Sequence, residues 1–385
     1  MLDSSNYLES IPVEIQPVID HPANHYNGDV IMEFGVFLLG QQRSYAQTSQ
    51  SVIHNTIEQT VVAEQAGFDA AWYAEHHFNN YSLSPSPLMT IAHAAAKTTK
   101  IRLGSAVCIL PLYHPARLLA EIGLADTLSE GRLELGIGSG YQQFEFERFG
   151  CNLANSGEIF HEMWDMINHG LGQKVFDYKG KHFEMLPTSV AIRTVQKKVP
   201  LWITSMNPGT LGRAFKENVN LFTTVLHGGD DALRGLRARL EGLATELGKD
   251  LSKTKIGFLR CGFASDNESD ITAYLDSARW ARRISESLKD RRMDMDDGYL
   301  VRETPCAADM TLDQLRANLP VGSVNEVIDK LLTEIEILKP NHIALQTQLG
   351  DCDQKTMLKQ IELWGDKIIP AVRKELARNE AAVFA

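Results

Sequence analysis

Several features are scarce in this 385-residue chain, and each scarcity removes a class of function. No apolar run approaches the ~18 residues that a membrane-spanning helix needs. The five cysteines (Cys108, Cys151, Cys261, Cys306 and Cys352) are odd in number and scattered, with no CxxC pair. Neither a disulfide framework nor a structural zinc is expected from them, and a reducing, cytoplasmic setting suits them. Positive charge is short: 38 Lys and Arg stand against 49 Asp and Glu, a formal net charge of −11. Such a chain repels nucleic acid and anionic membrane, which favours a small-molecule partner. No HExxH occurs, and the adjacent His76 and His77 diverge in extended chain, so no metal site is expected. The GxGxxG dinucleotide fingerprint fails as well, because Tyr141 stands where the last glycine of Gly136-Ile137-Gly138-Ser139-Gly140 would be needed. Residues 1–30 show no charged-then-apolar leader pattern and, with Pro12, Pro17 and Pro22, read as an irregular N-terminal arm.

What the chain does have is alternation. Short apolar runs at Met32–Leu38, Ala70–Ala74, Ile101–Val107, Arg132–Ile137, Leu201–Thr204, Leu221–Thr224, Ile256–Cys261 and His342–Leu345 predict eight strands. Amphipathic stretches between and after them predict helices at Val52–Ala66, Ser86–Thr98, Pro115–Ser129, Gly157–Leu171, Thr210–Glu217, Asp231–Leu247, Ser323–Leu338 and Gln354–Leu376. Ser323 with Glu326 three residues on has the spacing of a capping box. Strand–helix alternation of this kind implies a parallel sheet with right-handed crossovers. Closed on itself, that sheet is a (β/α)₈ TIM barrel spanning residues 31–385; left open, it is a doubly wound sheet. Two segments interrupt the alternation. Lys174–Pro187 reads as a small β excursion. Ala264–Pro320, after the seventh strand, reads as a long charged insertion without a strong regular pattern, either an active-site lid or a disordered segment.

In such a barrel, chemistry gathers where strands end. The strand ends carry Glu75-His76-His77, Ser105-Ala106-Val107, Gly138-Ser139-Gly140-Tyr141 and Asn207-Pro208-Gly209-Thr210. Neighbours in extended chain point to opposite sides, so at most one of the two histidines faces the mouth. That histidine is either an acid–base group or a packed core residue. Asn207-Pro208-Gly209-Thr210 opens a helix, either as a cap or as an anion site for a phosphate.

Taken together, these stretches resemble the bacterial-luciferase-like flavin-dependent monooxygenases. The resemblance is carried by Phe34-Gly35-Val36-Phe37-Leu38-Leu39, Gly67-Phe68-Asp69, Trp72-Tyr73-Ala74-Glu75-His76-His77-Phe78, Ile101-Arg102-Leu103-Gly104-Ser105-Ala106-Val107, Leu110-Pro111-Leu112-Tyr113-His114-Pro115-Ala116-Arg117 and Leu128-Ser129-Glu130-Gly131-Arg132, with Glu145 in register. It implies a (β/α)₈ barrel and reduced FMN, in preference to FAD, supplied by a separate NAD(P)H:flavin reductase. O₂ would add to the flavin as a C4a-hydroperoxide that oxygenates a small organic substrate, a carboxylated N-heteroaromatic ring being one candidate. It further implies that His76 is catalytic and that Glu75, Ala106, Val107, Ser139, Tyr141, Asn207, Gly209 and Thr210 contact the cofactor. Ala106–Val107 would form a non-prolyl cis peptide, and the chain would be a homodimer.

The chain departs from luciferase itself, which has a cysteine where Gly138 stands and arginines where Ser139 and Gly157 stand. These losses argue against light emission and for a differently built phosphate clamp. Two rival activities share the pattern: deazaflavin-dependent hydride transfer in the same fold, and a non-catalytic flavin-binding subunit. In the insertion, Arg279, Arg282 and Arg283 could meet a substrate carboxylate, although such a charge run by itself favours a solvated helix face.

Overall fold

The structure is a computed structural model that describes residues 25–26, 29–30 and 32–383, apart from 293, 301 and 308. Most of the expected N-terminal arm lies outside the described residues. Within it, His25–Tyr26 pairs antiparallel with Asp29–Val30.

Eight parallel strands form the barrel: β1 Glu33–Leu38, β2 Ala70–Tyr73, β3 Arg102–Ser105, β4 Leu133–Gly138, β5 Leu201–Ile203, β6 Asn220–Thr223, β7 Ile256–Cys261 and β8 His342–Gln346. They pair in sequence order, and β8 returns to β1 through His342↔Glu33 and Ile343↔Phe34. The β4–β5 pairing (Leu135↔Leu201, Ile137↔Ile203) completes the ring, which excludes the open doubly wound sheet. All eight lie where the apolar runs predict them. The helices are α1 Ser49–Gln65, α2 Pro87–Ala95, α3 Pro115–Leu128, α4 Gln143–Arg148, α5 Ser156–Gly172, α6 Pro208–Glu217 and α7 Asp230–Glu246. They continue with α8 Glu268–Lys289, α9 Leu312–Asn318, α10 Val324–Leu338, α11 Gln354–Leu363 and, beyond a π turn at Trp364–Ile368, α12 Ile369–Val383. The Ser323–Glu326 capping box is present at the start of α10. The β excursion is an antiparallel pair, Phe176–Lys179 with Glu184–Thr188. Among the described residues, no helix is long and apolar enough to cross a membrane.

The insertion after β7 departs from expectation. Instead of an irregular connection it contains the 22-residue helix α8, a short hairpin (Met295–Asp296 with Tyr299–Leu300) and α9. Ile271, Tyr274, Leu275, Ala278, Ala281, Ile284 and Leu288 form the buried stripe of α8. Their helical spacing is masked in the sequence by the arginines and acids interleaved with them.

Alternation along the strands sorts side chains into two layers. Phe34, Val36 and Leu38 face the helices, whereas Phe37 and Leu39 join Trp72, Ala74, Trp202 and Phe222 in a separate interior cluster. The lower barrel is filled by aromatic rings: Trp72 stands 5.2 Å from Trp202, 4.9 Å from Phe222 and 5.5 Å from His342. Both indole N–H groups are satisfied, Trp72 donating to His342 Nε2 (2.8 Å) and Trp202 to Glu134 (2.6 Å). Room for these rings comes from glycines on neighbouring strands. A Cβ at Gly104 would lie 2.2 Å from the Trp72 ring, and one at Gly257 3.0 Å from both Trp202 and Phe222. Beneath the plug, burial would raise the Glu33 carboxyl, but His342 and Lys255 together outweigh it and hold Glu33 down at about 2.

Gly104→Ala is therefore expected to destabilise the fold by about 1–3 kcal/mol or more, because a buried ring must leave its place. Chemical denaturation measures this; a midpoint equal to that of the native chain would show that the plug yields without cost.

Candidate active site

The alternation that turns Trp72 and Ala74 inward also turns His76 inward, and it sends Glu75 and His77 to the outer layer. The contacts agree. His76 lines a cavity of about 190 Å³ at the C-terminal mouth of the barrel, together with Tyr81, Ala106, Tyr141, His227 and Gln346. Phe37, Leu39, Ala74 and Leu259 also line it. Ala74 lies two residues beyond Trp72, and Phe37, Ala106 and Leu259 lie two residues beyond Gly35, Gly104 and Gly257, which face the rings, so the plug is the cavity's floor. Across the mouth, α8 contributes Ala281, Arg282 and Ser285.

His76 is held by a carboxylate from α4. Glu145 Oε1 lies 3.0 Å from His76 Nδ1 and accepts the His77 backbone N–H at 2.8 Å. An oxygen that accepts from an amide at that distance also accepts from the imidazole, so Nδ1 carries a proton and Nε2 is the ring nitrogen left for a ligand. Glu145 is fully buried, and its Oε2 is buried without a protein partner. The His76 ring meets Tyr81 edge-on at 4.9 Å and Tyr141 at 6.0 Å. His227, across the mouth, is pushed down to about 4 by burial first and then by Arg282 and Arg260. It is therefore neutral at pH 7.

The other expected site residues divide. Ala106 and Tyr141 line the cavity, and the Ala106–Val107 peptide is cis. Tyr141 Oη stands 3.4 Å from Ser285 of α8. Glu75 lies behind the cavity wall. Its Oε1 binds His77 Nε2 (2.9 Å), and its Oε2 accepts from Ile109 N (3.1 Å) and Tyr113 Oη (2.7 Å). It fixes the outer layer of the rim and is absent from the cavity wall, as its place one residue before His76 dictates. Ser139 and Val107 are also outside the lining. The glycine run serves the barrel itself: a Cβ at Gly136 would lie 1.9 Å from the Ser105 carbonyl oxygen, and one at Gly138 2.7 Å from Val107. Asn207 caps α6 through Oδ1 to Thr210 N (3.1 Å), and Thr210 Oγ1 lies 3.2 Å from His161 Nε2. This helix start shares the rim with the glycine turn, since Thr204 N donates to Ile137 O.

The sequence points to Glu145 only by resemblance and to Gln41 and His227 only as strand-end residues, and it does not point to His161 or Tyr81. Gln41 and His227 follow β1 and β6, so their strand ends marked them. His161 sits inside a helix and carries no local signal. The three arginines of α8 are not a solvated face. Arg279 bonds Asp276 at 2.8 Å, Arg283 bonds Asp309 and Glu303 at 2.8 Å each, and Arg282 lines the cavity. Among the described residues no group of three or more His, Cys, Asp and Glu could hold a metal ion.

Fold and site together define an enzyme class: a closed (β/α)₈ barrel with a blind, largely apolar cavity and one carboxylate-braced histidine at its mouth. The chain belongs to the luciferase-like monooxygenase family, whose model matches residues 32–338, and it is a flavin-dependent monooxygenase. It is 55% identical over 351 residues to protein y4vJ of Sinorhizobium fredii, covering 91% of this chain and 100% of that one. It is 27% identical over 307 residues to the oxygenase component of the flavin-dependent trigonelline monooxygenase of Acinetobacter baylyi (78% and 85% covered). Among solved structures, monooxygenase RslO1 of Streptomyces bottropensis superposes with a TM-score of 0.77 at 18% identity (88% and 99% covered). The oxygenating constituent of 3,6-diketocamphane monooxygenase from Pseudomonas putida, in complex with FMN, superposes at 0.69 with 22% identity (89% and 99% covered). An F420-dependent secondary alcohol dehydrogenase reaches 0.67 at 20% identity (89% and 99% covered). At these identities the structures establish the fold.

Glu145→Leu removes the acceptor of two buried N–H groups and is expected to cost about 1–3 kcal/mol for each group left unpaired. Nitrogen-15 spectra of the histidines should show His76 losing its fixed Nδ1–H tautomer. An unchanged His76 signal would show that Glu145 does not set it.

Proposed function

We propose that this enzyme is the oxygenase of a two-component system, taking reduced FMN from a separate NAD(P)H:flavin reductase and using O₂ to oxygenate a small carboxylated N-heteroaromatic substrate. The observation that carries the reading is the Glu145–His76 pair beside a largely apolar cavity walled by Ala74 and Ala106, whose small side chains leave space for a flat ring. A flavin is favoured over F420 because the oxygenase relative from A. baylyi is flavin-dependent, and FMN is taken as that flavin because an enzyme of this fold is known in complex with it. The oxygenase relative from A. baylyi supports both the reductase partner and the substrate class.

When bound, reduced FMN supplies the electrons that activate dioxygen. The chain does the rest. His76, oriented by Glu145 through Nδ1, takes or holds a proton at the reacting centre through Nε2. The plug below and α8 above exclude water, which would otherwise divert activated oxygen to peroxide. Asn207, Gly209 and Thr210 form the outer rim where the FMN phosphate would lie, with His161 beside them in place of the arginines seen in luciferase. Ser139 and Val107 support the ring from behind Ala106 and Tyr141. Residues 264–320 act as the lid. They are strapped to the barrel by Arg43, whose guanidinium bonds Asp276 and Glu303 at 2.8 Å each, and by Leu300 N donating to Asn80 Oδ1 at 3.1 Å. A homodimer is supported by α2 and α3, which pack on each other and leave Met89, Leu124 and Leu128 exposed.

Supplied with NADH, a flavin reductase, FMN and O₂, and with trigonelline and nicotinate as trial substrates, the native chain should form oxygenated product. His76→Ala should bind FMN as the native chain does, yet lose about 100-fold or more in product, with oxygen uptake diverted to peroxide. Product at the native rate would remove His76 from the chemistry. Turnover with reduced F420 but not with reduced FMN would assign hydride transfer instead.

Arg43→Ala should speed proteolytic cleavage within residues 290–311 several-fold, and added salt should do the same to the native chain. Equal cleavage in both would show that the strap does not hold the lid.

A further inference from the structure

The cavity carries an electrostatic signature that the oxygenation reading leaves unused. In a chain of net charge −11, no Asp or Glu lines this cavity among the described residues, and Arg282 is its one permanent charge. Arg282 differs from its neighbours on α8. Arg279 bonds Asp276 within the Arg43 strap, and Arg283 is clamped by Asp309 and Glu303. Arg282 makes one ion pair, from Nη2 to Glu286 Oε1 at 2.9 Å, and Glu286 Oε2 has an alternative cation in Lys289, 3.8 Å away. Both partners are mostly buried, with side chains 20% and 17% exposed. Arg282 can therefore exchange its carboxylate for another one while Glu286 keeps a cationic neighbour.

A second, independent feature points to a ligand in the same place. Gln41 is fully buried and lines this cavity. Its Oε1 is fixed by the Gly350 N–H at 2.9 Å, which settles the orientation of the amide. Its Nε2 is then buried with no protein acceptor. A buried donor left unpaired costs about 1–3 kcal/mol, so this N–H is free to donate to a ligand acceptor in the cavity. His227, neutral and beside Arg282, and Tyr141 add further polar edges to a wall that is otherwise aromatic and aliphatic.

We infer that Arg282 is the substrate-recognition residue: it binds the carboxylate of an aromatic acid by exchanging it for Glu286, and Gln41 Nε2 donates to an acceptor on that ligand. This rests on the oxygenase reading but is separable from it, because recognition of the acid does not require flavin.

The test uses nicotinate and nicotinamide, two ligands of the same shape that differ in one charge, titrated calorimetrically into the full-length protein without flavin. Nicotinate is expected to bind about tenfold or more tighter than nicotinamide, since a bond between charged partners is lost in the amide. Arg282→Gln should abolish that preference while leaving nicotinamide binding and FMN affinity unchanged. Glu286→Gln, which frees the arginine, should tighten nicotinate several-fold. Four results overturn the inference: no nicotinate binding, equal binding of the two ligands, a preference that survives Arg282→Gln, or nicotinate affinity unaltered by Glu286→Gln. Loss of FMN affinity in Arg282→Gln would assign the arginine to the flavin and overturn it as well. If FMN fails to bind or support oxygen uptake while the nicotinate preference stands, it is the oxygenase reading that falls.

Discussion

The aromatic plug in the lower barrel is the constraint on which the rest depends. A parallel barrel is a tube until side chains fill it, and here Trp72, Trp202, Phe222 and His342 fill the N-terminal half. Large rings meeting edge-on bury on the order of 150–250 Å² each, so the plug is both the main interior stabiliser and a floor. It is possible only because Gly35, Gly104 and Gly257 withhold side chains on the strands facing the rings. Filling one half with rings leaves the other half open at its mouth and closed below. That shape is what oxygen chemistry on a bound cofactor requires, because water can enter from one side only, and that side lies beneath α8.

The plug also sets the parity of β2, and through it the chemistry. With Trp72 fixed inward, residues 74 and 76 follow it and residues 73, 75 and 77 face outward. Two buried carboxylates then serve two histidines in two layers. Glu145 braces His76 at the cavity, while Glu75, His77, Tyr113 and the Ile109 amide form a closed polar cluster behind it. Each cluster is costly to bury unless its members are satisfied. The outer one is fully paired, whereas the inner one retains the lone Oε2 of Glu145.

Much of this could be read from the chain. The eight strands stand out because each is a short apolar run between polar, glycine-bearing loops. His76 can be separated from Glu75 and His77 by counting in twos from Trp72, which places Glu75 in the outer layer. The insertion was harder. The apolar positions of α8 keep helical spacing, but Arg279, Arg282, Arg283, Glu286 and Lys289 crowd the same span, so the charge run hid the stripe. Nor could the sequence disclose which arginine does what. Arg283 is spoken for by Glu303 and Asp309, some twenty and more residues downstream, and Arg43 reaches α8 from more than two hundred residues upstream. Those pairings depend on how the insertion folds back over the barrel, which no local pattern encodes.

The contrast between surface and cavity follows from the same architecture. A strongly acidic exterior opposes an approaching anion, but in physiological salt that repulsion fades within about 8–10 Å. Inside the mouth, screening by water and ions is weak, so a single arginine dominates the local potential. An unpaired guanidinium in such a place would be costly to desolvate. Glu286 removes that cost while the cavity is empty, by standing in for the anion that the cavity is shaped to receive. The ion pair on α8 and the ion-paired strap at Arg43 are thus two uses of one helix. One face is tied to Arg43 and the other carries Arg282 into the cavity, so that the element covering the mouth is, in the proposed reading, also the element that recognises what enters.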